Sequence, residues 1–168
     1  WAIARELGAL STPSRQILVW VVSAGHGLLA LDEPIKPYAA TFSSPHPDTV
    51  VRKCSREPRI DKLNWWNEII AVPWPRIEPC SIEQLAKRYP DCPLILAASA
   101  NYLNAVQDDL RNAHESLRDG NLLSIISAGT RKLQGLSKSL LPADARLQHF
   151  VGGVLRSLNV RLARLALE

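Results

Sequence analysis

Leu94-Ile95-Leu96-Ala97-Ala98-Ser99-Ala100-Asn101-Tyr102 opens the stretch that decides the fold, and Leu122-Leu123-Ser124-Ile125-Ile126-Ser127-Ala128-Gly129 closes it. Each is a short apolar run, rich in Leu and Ile, that stops at Ser-Ala; such runs read as strands buried on both faces, the pattern of a parallel sheet covered by helices. Between them Leu103, Val106, Leu110, Ala113 and Leu117 recur at intervals of three and four, which predicts a long amphipathic helix. Asp119-Gly120 then turns the chain into the next strand. Strand, helix and strand make one βαβ unit, and this predicts an α/β domain.

A third run of the same kind lies earlier: Ile17 to Val22 closes on Ser23-Ala24-Gly25-His26-Gly27. In a parallel sheet, ligands bind outside the carboxyl ends of the strands, where all three Ser-Ala turns would fall. The expected architecture is therefore a three-layer, Rossmann-like, mostly parallel sheet with flanking helices, and residues 1–168 read as a single domain of that type. The chain starts at Trp1 and contains no Met, which leaves room for a further strand before the first residue.

Elsewhere the signals are helical or irregular. Trp1 to Leu10 reads as a helix leading into the first strand, and residues 24 to 48, proline-rich and without a period, as a long loop. Ile60 to Ile70 has helical pieces. Trp65, Trp66 and Trp74 either form an exposed platform for bases or anchor an irregular segment to the core. Ser81 is the expected N-cap of a helix running to Tyr89, which Pro90 ends. Leu133 to Leu141 and Ala143 to Leu167 read as two more helices, separated by Pro142, the second interrupted by Gly152-Gly153.

Composition narrows the class. An apolar content of 46% and a charged content of 21% are those of an ordinary globular protein. No apolar stretch approaches membrane-spanning length, so no membrane partner is expected and the location read is cytoplasmic. Twenty Lys and Arg against sixteen Asp and Glu leave a net charge of +4, which suits anionic partners modestly and equally suits a merely basic surface. Three cysteines, Cys54, Cys80 and Cys92, lack a CxxC pair; their spacing with His46 fits no common zinc knuckle, no metal site is assigned, and Cys92 reads as a small buried hydrophobe.

The residues able to carry chemistry gather at the turns. His26, between Gly25 and Gly27, is a potential general base or base-edge reader, because its charge state changes near neutral pH. It is equally suited to fixing the loop by bonding to backbone. Ser99 or Asn101 caps the long helix, whose free N–H groups also attract anions. Ser127, Gly129, Thr130 and Arg131, followed by Lys132, suit a phosphate or carboxylate. Arg156, Arg161 and Arg164 on the last helix are a possible nucleic-acid contact. Asp108 and Asp109, adjacent on a helix, face different ways and read as a solvated or Arg-paired face. No GxGxxG, GxxxxGK(S/T) or GxSxG pattern is present, so no dinucleotide, Walker or elbow site is supported, and the sequence names no cofactor.

Ser23, Ala24, His26, Gly27, Leu28, Asp32, Pro34, Pro37 and Tyr38 together resemble a motif of the YaaA-like group of bacterial Rossmann-like proteins, some of which neighbour nucleic-acid modification or defence genes. The resemblance covers Ser23 to Tyr38, about a tenth of the chain. That group ordinarily has an earlier strand with a Cys-Ser or Cys-Gly turn and a Lys, which this chain lacks. The resemblance implies a nucleotide or nucleic-acid association and gives no reaction. Taken with the three strand-end turns, it leads to the expectation that His26 and Tyr38 read or activate the ligand and that Ser23, Gly25, Gly27, Ser99, Asn101, Ser127, Gly129 and Arg131 surround it. A reaction at a nucleoside glycosidic bond is one expectation. A non-catalytic module binding nucleic acid or a protein partner is the other.

Overall fold

The computed structural model describes residues 2–72, 79–128, 130 and 133–168, with the side chains of Ala2 and Arg156 excepted. Its contacts fall into two compact units. One comprises residues 1–19, 91–100 and 118–168, the other residues 20–90 and 101–117. Among the described residues no helix is long and apolar enough to cross a membrane.

The first unit holds a three-stranded parallel sheet. Leu94–Ala97 (β3) pairs with Leu123–Ala128 (β4), and β4 with Leu140–Ala143 (β5), in the order β3-β4-β5. The two apolar runs are thus neighbouring parallel strands, as their composition predicts. Ser127 and Ala128, expected just beyond the strand, are its last two residues. Ala2–Gly8 (α1), Gln148–Val151 (α5) and Leu158–Leu167 (α6) flank this sheet. Leu158 and Ala163 of α6 are buried with Ile126 and Ala143, and Ile95, Ala97, Leu147, Val151 and Leu162 pack around them.

The expected helix over Leu133 to Leu141 is not formed. Leu133, Leu136 and Leu140 are buried at intervals of three and four, as in a helix, but the chain makes two successive turns instead. The amide of Leu136 donates to Leu133 O at 3.0 Å and that of Ser139 to Leu136 O at 3.1 Å, and Gly135 sits at φ +79°. Two stacked three-residue turns reproduce helical spacing, then release the chain into β5. Pro142 is tolerated there because β5 is an edge strand, where a missing N–H leaves no ladder bond unmade. Beyond it, Gly152 and Gly153 at φ +66° and +76° break the last helical stretch into α5 and α6.

In the second unit, Trp20–Ser23 (β1) does not join the parallel sheet. It pairs antiparallel with Gly27–Ala30 (β2), Ser23 facing Gly27 and Trp20 facing Ala30. Ser23-Ala24-Gly25-His26-Gly27 is therefore a hairpin turn, and the expected long loop contains a strand, β2, whose Leu28 and Leu29 are buried. Pro58–Ala71 (α2), Ile82–Arg88 (α3) and Ala100–Ser116 (α4) complete the secondary structure of this region. Pro58 begins α2, where its missing N–H goes unused. Ser81 caps α3 by accepting from Gln84 N at 3.1 Å.

The apolar stripe of α4 is buried through Leu103, Val106, Leu110 and Ala113. Asp108 pairs with Arg111 at 2.6 Å, as an Arg-paired face would. Asp109 does not belong to that face: it is buried, accepting from Trp66 Nε1 at 3.1 Å and from the amides of Ile82 and Glu83, both at 2.9 Å. Burial pushes its carboxyl above the usual carboxylate range against the pull of those three N–H groups. Trp66 is thereby an anchor. Trp65, partly exposed, is tied by its indole N–H to Ala24 O at 2.7 Å, and Trp74 lies outside the described residues. Cys92, expected to be buried, is exposed in the turn before β3, as is Cys54 further up the chain.

Candidate functional site

The hairpin turn and Tyr38 form one closed constellation within the second unit. Ser23, at 2% exposure, ends β1 and saturates its hydroxyl locally. Its Oγ accepts from the amides of Gly25 at 3.2 Å and His26 at 3.1 Å, and donates to Tyr38 Oη at 2.8 Å. Gly25 is required by contact: a Cβ there would lie 2.1 Å from Cδ2 of Tyr38, inside the ring's van der Waals surface. Gly27 is required by conformation, at φ +77°, where L side chains are strained. His26 Nε2 lies 3.2 Å from the carbonyl oxygen of Lys36, so that nitrogen carries the proton. Its ring meets Tyr38 edge-on, centroids 5.0 Å apart.

The constellation therefore presents Tyr38 from a hydrogen-bonded base. Tyr38 is 43% exposed, and because Oη accepts the Ser23 proton, its own O–H is directed away from Ser23. Hydrogen bonds in series polarise one another, so the two amides behind Ser23 strengthen the phenol as a donor. The hairpin is held to the rest of its unit by the Trp65–Ala24 bond and by Leu28 N donating to Cys80 O at 3.1 Å.

The other expected site residues are placed differently. Ser127, fully buried, exchanges a hydrogen bond with Thr130 Oγ1 at 3.0 Å, and Ser99 is exposed immediately before α4. At the carboxyl ends of β3 and β4 the side chain of Asn159 bridges the strands: Oδ1 accepts from Ala128 N at 2.8 Å and Nδ2 donates to Ala98 O at 2.9 Å. Gly129, Arg131 and Lys132 lie outside the described residues, as does the side chain of Arg156. Asn101, in the first turn of α4, accepts from Lys62 Nζ at 2.7 Å.

Both arginines of α6 have intramolecular partners. Arg161 folds over Gly153, where a Cβ would fall 2.3 Å from its Nε, and donates to Ser157 Oγ and Val151 O. Arg164 pairs with Glu6 at 2.7 Å and Glu168 at 2.9 Å.

Sequence reasoning missed Lys62 and placed Asp109 on a solvated or Arg-paired face. For Lys62 a signal was present: with Trp66 and Ile69 it falls at i, i+4 and i+7, on the buried face of α2. For Asp109 the determinant is a tertiary partner that no local spacing announces. Comparison of the chain with protein-family models finds no match, and no curated protein or solved structure matches it either.

Proposed function

We propose that this chain is a nucleotide- or nucleic-acid-handling protein whose working surface is the Ser23–Tyr38 constellation. The observation that carries the reading is Tyr38: an aromatic residue nearly half open to solvent, its hydroxyl accepting from buried Ser23 and its ring perpendicular to that of His26. A ring of this kind stacks on a base while its hydroxyl reads a base edge, and stacking is worth about 1–3 kcal/mol per base. The resemblance of the same residues to the YaaA-like group supports a bacterial protein of nucleic-acid modification or antiviral defence, acting in the cytoplasm.

The reaction class that fits, where there is turnover, is hydrolysis at the glycosidic bond. Water adds to C1′ as the C1′–N bond breaks, Tyr38 or His26 delivers the proton that the departing base requires, and the proton the water loses restores that group. The parallel β3-β4-β5 sheet is the part of a three-layer Rossmann-like arrangement included in this proposal.

Titration with AMP and with a short single-stranded oligonucleotide at low salt tests the reading, followed by the fluorescence of Trp65 beside the turn. Tyr38→Ala is expected to weaken binding at least about tenfold, whereas His26→Ala retains binding and loses any turnover. Absence of binding by either ligand to the wild-type protein would refute it.

A further inference from the structure

Leu147, Val151, Leu158 and Leu162 pack the chain around α5 and α6 against the parallel sheet. The apolar residues of the turn between the two helices do the opposite. Phe150 at 84% and Val154 at 66% are the two most exposed large apolar side chains among the described residues, and Leu155 adds 53%. Three such residues within six positions make a patch, unlike the single apolar side chains that every surface carries.

The backbone shapes this patch into a tip. The amide of Gly152 donates to Gln148 O at 2.8 Å, and Gln148 Nε2 donates to Gly153 O at 2.6 Å, which closes the turn. A Cβ at Gly152 would meet nothing within 4 Å, so the outside of the turn faces open space. An almost bare ring on a closed turn is a protrusion; it enters another body rather than receiving one.

The charge around the tip has one sign. Residues 145–167 contain four Arg and no Asp or Glu. Arg146 and Arg164 are paired with carboxylates from outside that stretch, Asp144, Glu6 and Glu168. Arg161, folded over Gly153, donates to the neutral oxygens of Ser157 and Val151, and among the described residues no carboxylate pairs with it. Its hydrogen bonds brace the turn, and its charge is left uncancelled beside the tip. A second copy of the chain is a poor occupant, because two facing tips would bring Arg161 against Arg161. The three side chains also offer only on the order of 300 Å², against roughly 800 Å² per partner in a stable protein interface.

We propose that the Phe150–Leu155 tip docks on a membrane surface containing anionic lipid, with Phe150, Val154 and Leu155 entering the boundary between headgroups and acyl chains. Such binding scales with the apolar area buried plus the attraction to anionic lipid. The attraction acts through the field of the surface, so Arg161 contributes without giving up its bonds in the turn. A surface contact needs no spanning segment, and the lack of one, which led to the expectation of no membrane partner, does not bear on it. The tip shares no residue with the Ser23–Tyr38 constellation, so this contact stands or falls apart from the function proposed there.

Cosedimentation with vesicles of phosphatidylcholine alone, and of phosphatidylcholine mixed with phosphatidylglycerol, reads the contact. The wild-type protein is expected to pellet with the anionic vesicles and much less with the neutral ones, and added salt should weaken it. Phe150→Ser is expected to reduce partition at least about tenfold while melting as the wild type does, because so exposed a ring contributes little to the fold. Phe150→Trp retains binding, since indole favours the headgroup level. Should Phe150→Ser fail to fold, Val154→Ser takes its place with a smaller loss. Wild-type protein left in solution beside anionic vesicles overturns the proposal, as does equal pelleting with neutral ones or pelleting that Phe150→Ser leaves intact. A dimer that Phe150→Ser turns into a monomer, without vesicle binding, gives the tip to a second copy and overturns it too.

Discussion

Gly25 and Tyr38 are the sharpest pair at the residue scale, because one exists to admit the other. Gly25→Ala places a methyl inside the Tyr38 ring, so the ring must leave and its bond from Ser23 breaks; overpacking of this kind costs on the order of 2 kcal/mol. In a double-mutant cycle with Tyr38→Ala, the alanine at 25 is expected to become nearly neutral, and additive losses would show that the contact is not what requires glycine. Asp109 makes a second residue-scale case. Asp109→Ala strands an indole N–H and two backbone amides and is expected to lower stability by about 3–5 kcal/mol, with Asp109→Asn losing less. Denaturant melts of the two variants check the order.

Asp61 fixes the sign of the acid limb. Hydrogen bonds from Ser55 and then Arg52 hold its carboxyl below the ordinary 3.8 of an unfolded chain. A depressed folded value means stability that is present above that pH and lost as pH falls through the folded value. Stability profiles of wild type and Asp61→Asn are therefore expected to differ at neutral pH and converge in acid, and parallel profiles would contradict the assignment. Asp109, shifted upward by burial, runs the other way: its contribution is fullest below 3.8 and declines as pH rises through its folded value.

Among the elements, Asn159 of α6 is the tie between β3 and β4. Asn159→Ala removes both strand-end bonds and is expected to cost about 1–3 kcal/mol. Hydrogen exchange should then quicken at Ala128, and unchanged exchange there would deny the clamp. Elements with strong local chemistry were legible in the sequence: Ser81 capping α3, the stripe of α4, and β3 and β4 as parallel neighbours. The misread ones share a physical reason. Leu133, Leu136 and Leu140 carry helical spacing because two stacked turns have nearly the same period. The strand β2 is four residues long, and its pairing is created by the hairpin rather than by its composition. That hairpin also changes the site, since Ser23 closes an antiparallel turn instead of a parallel strand. Of the residues the motif singled out, Ser23, His26 and Tyr38 do meet one another; the burial of Asp109 depends on Trp66, Ile82 and Glu83, 26 or more residues distant, which periodicity cannot reveal.

For the whole molecule the net charge of +4 overstates the cation available to a polyanion, since Arg161 and Arg164 are already engaged within their own unit. Binding of an oligonucleotide through Tyr38 with at most one phosphate contact should weaken only about threefold between 50 and 200 mM salt. A steeper slope would locate the contact on a broader basic surface. The central claim, that the Ser23–Tyr38 constellation is where this protein meets its ligand, is tested most directly by amide chemical-shift mapping during titration with AMP. The account predicts that shifts concentrate at Gly25, His26 and Tyr38 and vanish in Tyr38→Ala; shifts confined to Ala98, Ala128 and Asn159 at the ends of the parallel strands, or none at all, would contradict it.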